Sequence, residues 1–212
     1  APLPNITASI LPVDTEEIKK PLEDVTTENV TSDTLESIDE IREALEEVLE
    51  DTGLSDEHRE EIETYLEKLD KLEQQVQDSN EILDDEAVND TLDVTHENVE
   101  LTDKEDLAAA KDVLEDALEN FGGNYTAEER ESIEEQLKQL EDAINVIENV
   151  EYVTGSVAQF PASVEPDDEE AERRILEAKK HFDALSAREK SLVDEDTKKK
   201  LDALVADLTD YE

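Results

Sequence analysis

Residues 24–30 read DVTTENV and residues 93–99 read DVTHENV, with six of seven letters identical at a spacing of 69. A chain that writes one connector twice is built of repeats. Repetition restricts it to folds in which each unit buries its apolar face against a neighbour or a third element. A helical pattern comes after each copy. Leu35, Ile38, Ile41, Leu45, Val48 and Leu49 recur at helical spacing, with Ser32 or Asp33 as candidate cap and Gly53 as the stop. A second amphipathic run opens at Ser55 and carries Ile62, Leu66, Leu69, Leu72 and Val76. Two such runs joined by a short glycine turn predict an antiparallel helical hairpin.

Shifting by 69 places Leu45 on Leu114, Leu49 on Leu118 and Gly53 on Gly122. The turn then lengthens by two residues, from TGLS to FGGNYT, and a shift of 71 carries Ile62 to Ile133, Leu66 to Leu137 and Leu69 to Leu140. Thr126 with Glu129 has capping-box spacing. A third, shorter unit starts near Val164. Its first helix carries Ile175, Ala178, Phe182 and Leu185, Ser186 with Glu189 is another capping box, and Leu201, Leu204, Val205 and Leu208 close the chain.

The expected fold is therefore all-α: tandem antiparallel hairpins or small helical bundles joined by extended connectors. The expected divisions are a lead-in at 1–23, repeat units at 24–92 and 93–163, and a third unit at 164–212. Residues 1–13 hold three of the six prolines and no charge, and a short helical turn over 14–23 is cut by Pro21. The segment YVTGSVAQFPASVEPDD, uncharged from Tyr152 to Val164, reads as the best domain boundary, with a hint of extended structure over Tyr152–Ala158. Helices of roughly 18–22 residues span ~30 Å and are marginal alone. Three units end to end would reach on the order of 90 Å, against a radius of gyration of about 17 Å for a compact domain of this length.

Composition decides which partners fit. Among 212 residues, 64 acids face 19 Lys and Arg, for a formal charge of −45. With a mean hydropathy of −0.71 this borders on disorder, and the patterned apolar residues argue against it. The acids concentrate in residues 1–163, which carry 48 against 10 Lys and Arg, while 164–212 carry 16 against 9. Such a surface repels phosphate backbones and anionic bilayers, so no nucleic acid or membrane partner is expected. No apolar run is long enough to span a membrane. APLPN reads as the start of a mature chain rather than a targeting segment. The chain has no Cys, Trp or Met, and only seven Phe and Tyr, so its cores must be thin and aliphatic.

No chemistry-bearing motif emerges. Paired carboxylates abound and therefore discriminate nothing, and a glycosidase pair would need aromatic walls. His58, His96 and His181 lie beyond helical reach of one another and read as surface residues. The acidic clusters Asp84–Glu86 and Asp167–Glu170 lack the spacing of a calcium loop, and the second suits a helix N-terminus. Gly122-Gly123 is a turn, and Lys198–Lys200 a solvated face. Four N-x-[ST] sequons, at Asn5, Asn29, Asn89 and Asn124, would matter in a secreted eukaryotic or archaeal chain; Asn29 and Asn124 also suit cap and turn roles. No catalytic, cofactor-binding or metal site is assigned, and no cofactor is expected.

The run ILEAKKHFDALSAREKSLVDEDTKKKLDALVADLTDY from Ile175, with Phe182 in an aromatic slot, resembles the small helical repeat modules of large wall-associated surface proteins of Gram-positive anaerobic bacteria. LTDKEDLAAAKDVLEDAL from Leu101 is similar to the first helix of such modules. Such proteins often end in L-P-x-T-G; this chain has only LPVDT at Leu11–Thr15. The resemblance implies a packing module, an extracellular or wall-associated location and no catalysis. The expected function is a non-enzymatic, monomeric acidic stalk or spacer. The rival is a binding module that recognises an extracellular host protein through a helical face or the YVTGSVAQF segment. A third reading, a halophilic protein, would be marked by unfolding in dilute buffer.

Overall fold

A computed structural model describes residues 15–209. Among these residues every regular element is helical, and the chain is all-α. The helices are α1 (Thr15–Lys19), α2 (Leu35–Leu49), α3 (Asp56–Leu83), α4 (Glu86–Asp90), α5 (Lys104–Phe121), α6 (Ala127–Ala158), α7 (Glu169–Ala184), α8 (Ala187–Leu192) and α9 (Glu195–Thr209). Short 3-10 turns at Lys20–Leu22, Ser32–Thr34, Leu101–Asp103 and Gly122–Asn124 link them. Pro21 stands at the start of the first of these, where its missing N–H costs nothing. The LPVDT motif and the Asn5 sequon lie outside the described residues, apart from Thr15.

By contact the chain divides into two compact units, residues 1–85 with 113–133, and residues 86–112 with 134–212. The repeat reading draws its lines at 24, 93 and 164, whereas each contact unit is discontinuous in sequence. In the first, α2 packs on α3 around Ile38, Ile41, Leu45, Ile62, Leu69, Leu72 and Val76, joined by Leu22 and Val30. In the second, α7 packs on α9, and the core of Ile175, Ala178, Leu201 and Leu204 takes in Val153, Val157 and Phe160.

The repeat register holds at the level of burial. Ile38, Ile41 and Leu45 of α2 are buried, as are Leu107, Ala110 and Leu114 of α5 at the shift of 69. An ion pair repeats with them. Arg42 meets Asp70 at 2.9 Å between α2 and α3, and Lys111 meets Glu141 at 3.9 Å between α5 and α6. With Lys104–Glu151 at 2.7 Å, the second pair fixes α5 and α6 as antiparallel.

Three expectations need correction. The cap ahead of α2 is neither Ser32 nor Asp33. A 3-10 turn intervenes, and the Thr31 N–H is satisfied by Thr34 Oγ1 at 3.3 Å. The second helices are longer than anticipated, at 28 residues for α3 and 32 for α6. The YVTGSVAQF segment is not extended: α6 runs through Tyr152–Ala158, and Gly155 sits inside it. The helix persists because Val153, Val157 and Phe160 continue its apolar stripe into the core, which outweighs one glycine. The irregular stretch there is confined to 159–168.

Candidate functional site

The two copies of D-V-T-x-E-N-V fold into the same hydrogen-bonded turn. In the first, Asn29 Oδ1 accepts from the Thr26 N–H at 2.7 Å, and Asn29 Nδ2 donates to the Asp24 carbonyl at 2.9 Å. In the second, Asn98 Oδ1 accepts from the Thr95 N–H at 2.8 Å, and Asn98 Nδ2 donates to the Asp93 carbonyl at 2.9 Å. Thr26 Oγ1 accepts from the Glu28 N–H and Thr95 Oγ1 from the Glu97 N–H, both at 3.2 Å. The Val30 N–H closes on the Thr26 carbonyl at 2.9 Å, and Val99 on Thr95 at 3.0 Å. Thus Asn, Thr and Asp are the residues the turn uses. Both valines are fully buried.

One helical turn that does not continue leaves its last carbonyls without local partners. Each copy receives those partners from far along the chain. Asn124 Nδ2 donates to the carbonyls of Thr27 and Val30, each at 2.8 Å. Asn124 is itself buried, and its Oδ1 accepts from Gln75 Nε2 at 3.0 Å. In the second copy the donor is Arg188. Its guanidinium reaches the Val99 carbonyl at 2.7 Å and the Asn98 carbonyl at 3.2 Å, and pairs with Glu100 at 2.8 Å.

Both donors flank a capped helix start. The Glu129 N–H donates to Thr126 Oγ1 at 3.2 Å, and Glu129 Oε1 accepts from the Thr126 N–H at 2.9 Å. Ser186 and Glu189 do the same at 3.1 and 2.8 Å. Ser32 Oγ donates to Glu129 Oε1 at 3.0 Å, which ties the first turn to the α6 cap. Next to it the Tyr125 hydroxyl donates to the Ser79 carbonyl at 2.6 Å. Burial, helped by the Glu129 charge, pushes that phenol up to about 12.

The other residues singled out in sequence lie apart. His58 Nδ1 sits 2.9 Å from Ser55 Oγ at the α3 cap. His96 lies 3.7 Å from Glu97. His181 stands edge-on to Tyr152 with ring centres 5.1 Å apart. Asp168 caps α7 by accepting from the Ala171 N–H at 3.1 Å, as the helix N-terminus reading expected. Among the described residues no group of three or more His, Cys, Asp and Glu is arranged to hold a metal ion. No helix among them is long and apolar enough to cross a membrane. Of the sequons, Asn124 has both amide hydrogens bonded in a buried site, so in the folded chain it has no room for a glycan. The Asn29 side chain is committed to the turn, and Asn89 is exposed.

A hollow of about 630 Å³ is lined by Glu16, Glu17, Lys19, Lys20, Glu23, Tyr65 and Lys68. Lys19 and Lys68 flank the Tyr65 ring at 4.7 and 5.5 Å, and the three glutamates of the lining balance its three lysines.

The sequence marks the repeated turn only as a connector. The pairing of Asn124 and Arg188 with it crosses 94 and 89 residues, beyond the reach of any local pattern. The available signal is positional: the donors stand within two residues of the capping residues Thr126 and Ser186. Compared with protein families, curated proteins and solved structures, the chain matches none.

Proposed function

We propose that this chain is a non-enzymatic acidic helical spacer in an extracellular, wall-associated bacterial surface protein. The observation that carries the reading is what the repeat preserves. Turn hydrogen bonds, buried apolar positions and the inter-helix ion pair recur from unit to unit. By contrast His58, Glu129 and Glu189 occupy one equivalent position, so a chemically active group is not what is copied. Duplication of packing without duplication of a reactive group suits a part whose dimensions matter. The surface location rests on the likeness of HFDALSAREKSLV to wall-protein modules. High like charge keeps such a part soluble and non-associating.

The test is small-angle scattering on the monomer. A spacer should give a radius of gyration well above the ~17 Å of a compact chain this long. The 32-residue α6 alone would be ~48 Å long. A compact particle, or turnover of a glycan or peptide, would overturn the proposal.

A binding module is the second reading, favoured by one observation. Tyr152 is 58% exposed and paired with His181, in a chain with few aromatic residues. The rest of the YVTGSVAQF segment serves the core through Val153, Val157 and Phe160. Loss of host-protein capture by Tyr152→Ala would shift the weight to this reading.

A further inference from the structure

We propose that D-V-T-x-E-N-V is a recognition socket for the hairpin of the following repeat, read through the carbonyl of its terminal valine. The inference does not depend on the spacer reading. It rests on three observations made at different residues.

First, acceptor and position agree while the donor does not. Val30 and Val99 are equivalent at the shift of 69; both are buried, and each carbonyl is met by a side-chain N–H. One donor is a neutral amide two residues before the helix cap, at Asn124 ahead of Thr126. The other is a guanidinium two residues after the cap, at Arg188 beyond Ser186. Two unlike side chains serving one carbonyl indicate that the carbonyl is what must be satisfied. A buried acceptor left unpaired is destabilising, because it has lost water and gained nothing.

Second, the backbone adjusts to the donor's reach. Asn is short, so the hairpin that bears it must come close. A Cβ at Gly123 would lie 2.1 Å from the Glu28 carbonyl oxygen, so only glycine permits the approach. Arg is long, and the third hairpin's turn, ALSAR, contains no glycine. Third, donors and sockets match in order. Counted from its cap Ser55, the first hairpin carries Gly53 two residues before and Glu57 two residues after, and neither side chain offers an N–H. Hairpins two and three come one repeat after sockets one and two and carry one donor each.

The partner this socket fits is therefore a capped helix N-terminus with a side-chain N–H donor within two residues of the cap. The test is residue-resolved hydrogen exchange on the full chain. Arg188→Met keeps the aliphatic stem and removes the donors. It should speed exchange of the Val99 amide about tenfold or more, and leave the Val30 amide unchanged. Asn124→Ala should do the converse. Adding Glu128→Arg to Asn124→Ala moves the donor to the Arg188 position and should restore protection at Val30. Equal acceleration at both valines would mean general destabilisation. No acceleration at either would mean that the Asn29 and Asn98 brackets hold the turns unaided. Failure of the Glu128→Arg rescue would mean that the donor's identity, not the carbonyl, is read. Any of the three would overturn the proposal. Should Asn124→Ala not fold, Arg188→Met and Arg188→Lys decide it, the latter keeping the charge with a single donor head and giving intermediate exchange.

Discussion

A methyl group at Gly123 would collide with the Glu28 carbonyl, whereas one at Gly155 meets nothing within 4 Å. Alanine should therefore act oppositely at the two sites. Gly123→Ala should lower stability by about 1–3 kcal/mol, as overpacking does. Gly155→Ala, inside α6, should raise it by roughly 0.5–1 kcal/mol through helix propensity and unfolded-chain entropy. Neither glycine has a positive φ, so space alone decides the sign. Urea melts of both variants check the pair. At Leu45 and Leu114, both fully buried at equivalent repeat positions, substitution by Asp should cost several kcal/mol each. The exposed Glu46→Gln should be near neutral in the same melts.

Among the elements, periodicity predicts well wherever one helical face is apolar and the other charged. The stripes of α2 and α3 and the caps at Ser55, Thr126 and Ser186 are legible for that reason. The end of α6 is not, because its uncharged composition and Gly155 suggest a linker. Val150, Val153 and Val157 at helical spacing are the contrary signal, and all three are buried. A titration can examine the α3–α6 junction through Tyr125. Its folded-state value of about 12 lies above the ordinary phenol value of ~10. The stabilisation linked to it is thus complete below pH ~10 and is lost as pH rises through about 12. Phenolate absorbance should show one tyrosine titrating near 12, and Tyr125→Phe should remove that step and cost about 1 kcal/mol through the lost bond to Ser79.

For the whole molecule the dominant quantity is charge. The chain has 64 acids and 19 Lys and Arg, so most acids cannot have a cationic partner. Their mutual repulsion is relieved only by added ions, within a Debye length of ~10 Å at 0.1 M salt. The melting temperature should rise between about 10 mM and 0.5 M sodium chloride, measured by circular dichroism. A flat curve would mean that the helices barely feel the net charge. The fold class is readable from the repeat because helix stripes are local; the sockets are not, because their donors lie 94 and 89 residues away.

The matched order of turns and hairpins also bears on how genes for such chains change length. Wherever the codons of two such repeated stretches also agree, recombination between them removes or adds one period. Excision between residues 24–30 and 93–99 would delete 69 residues and leave a single D-V-T-x-E-N-V. The hairpin one repeat beyond it would be the one bearing Arg188, which already supplies the carbonyl of the second turn. The shortened product would inherit a complete pairing at that turn, with the Asn124 hairpin taking the place directly after it that the Gly53 hairpin now holds. Duplication at the same two stretches is different. It would insert a second Gly53 hairpin behind the first turn, in the place from which Asn124 now donates, and leave the Val30 carbonyl without a donor. An array with this register can lose a period freely, but gains one only if the new hairpin acquires a donor beside its cap.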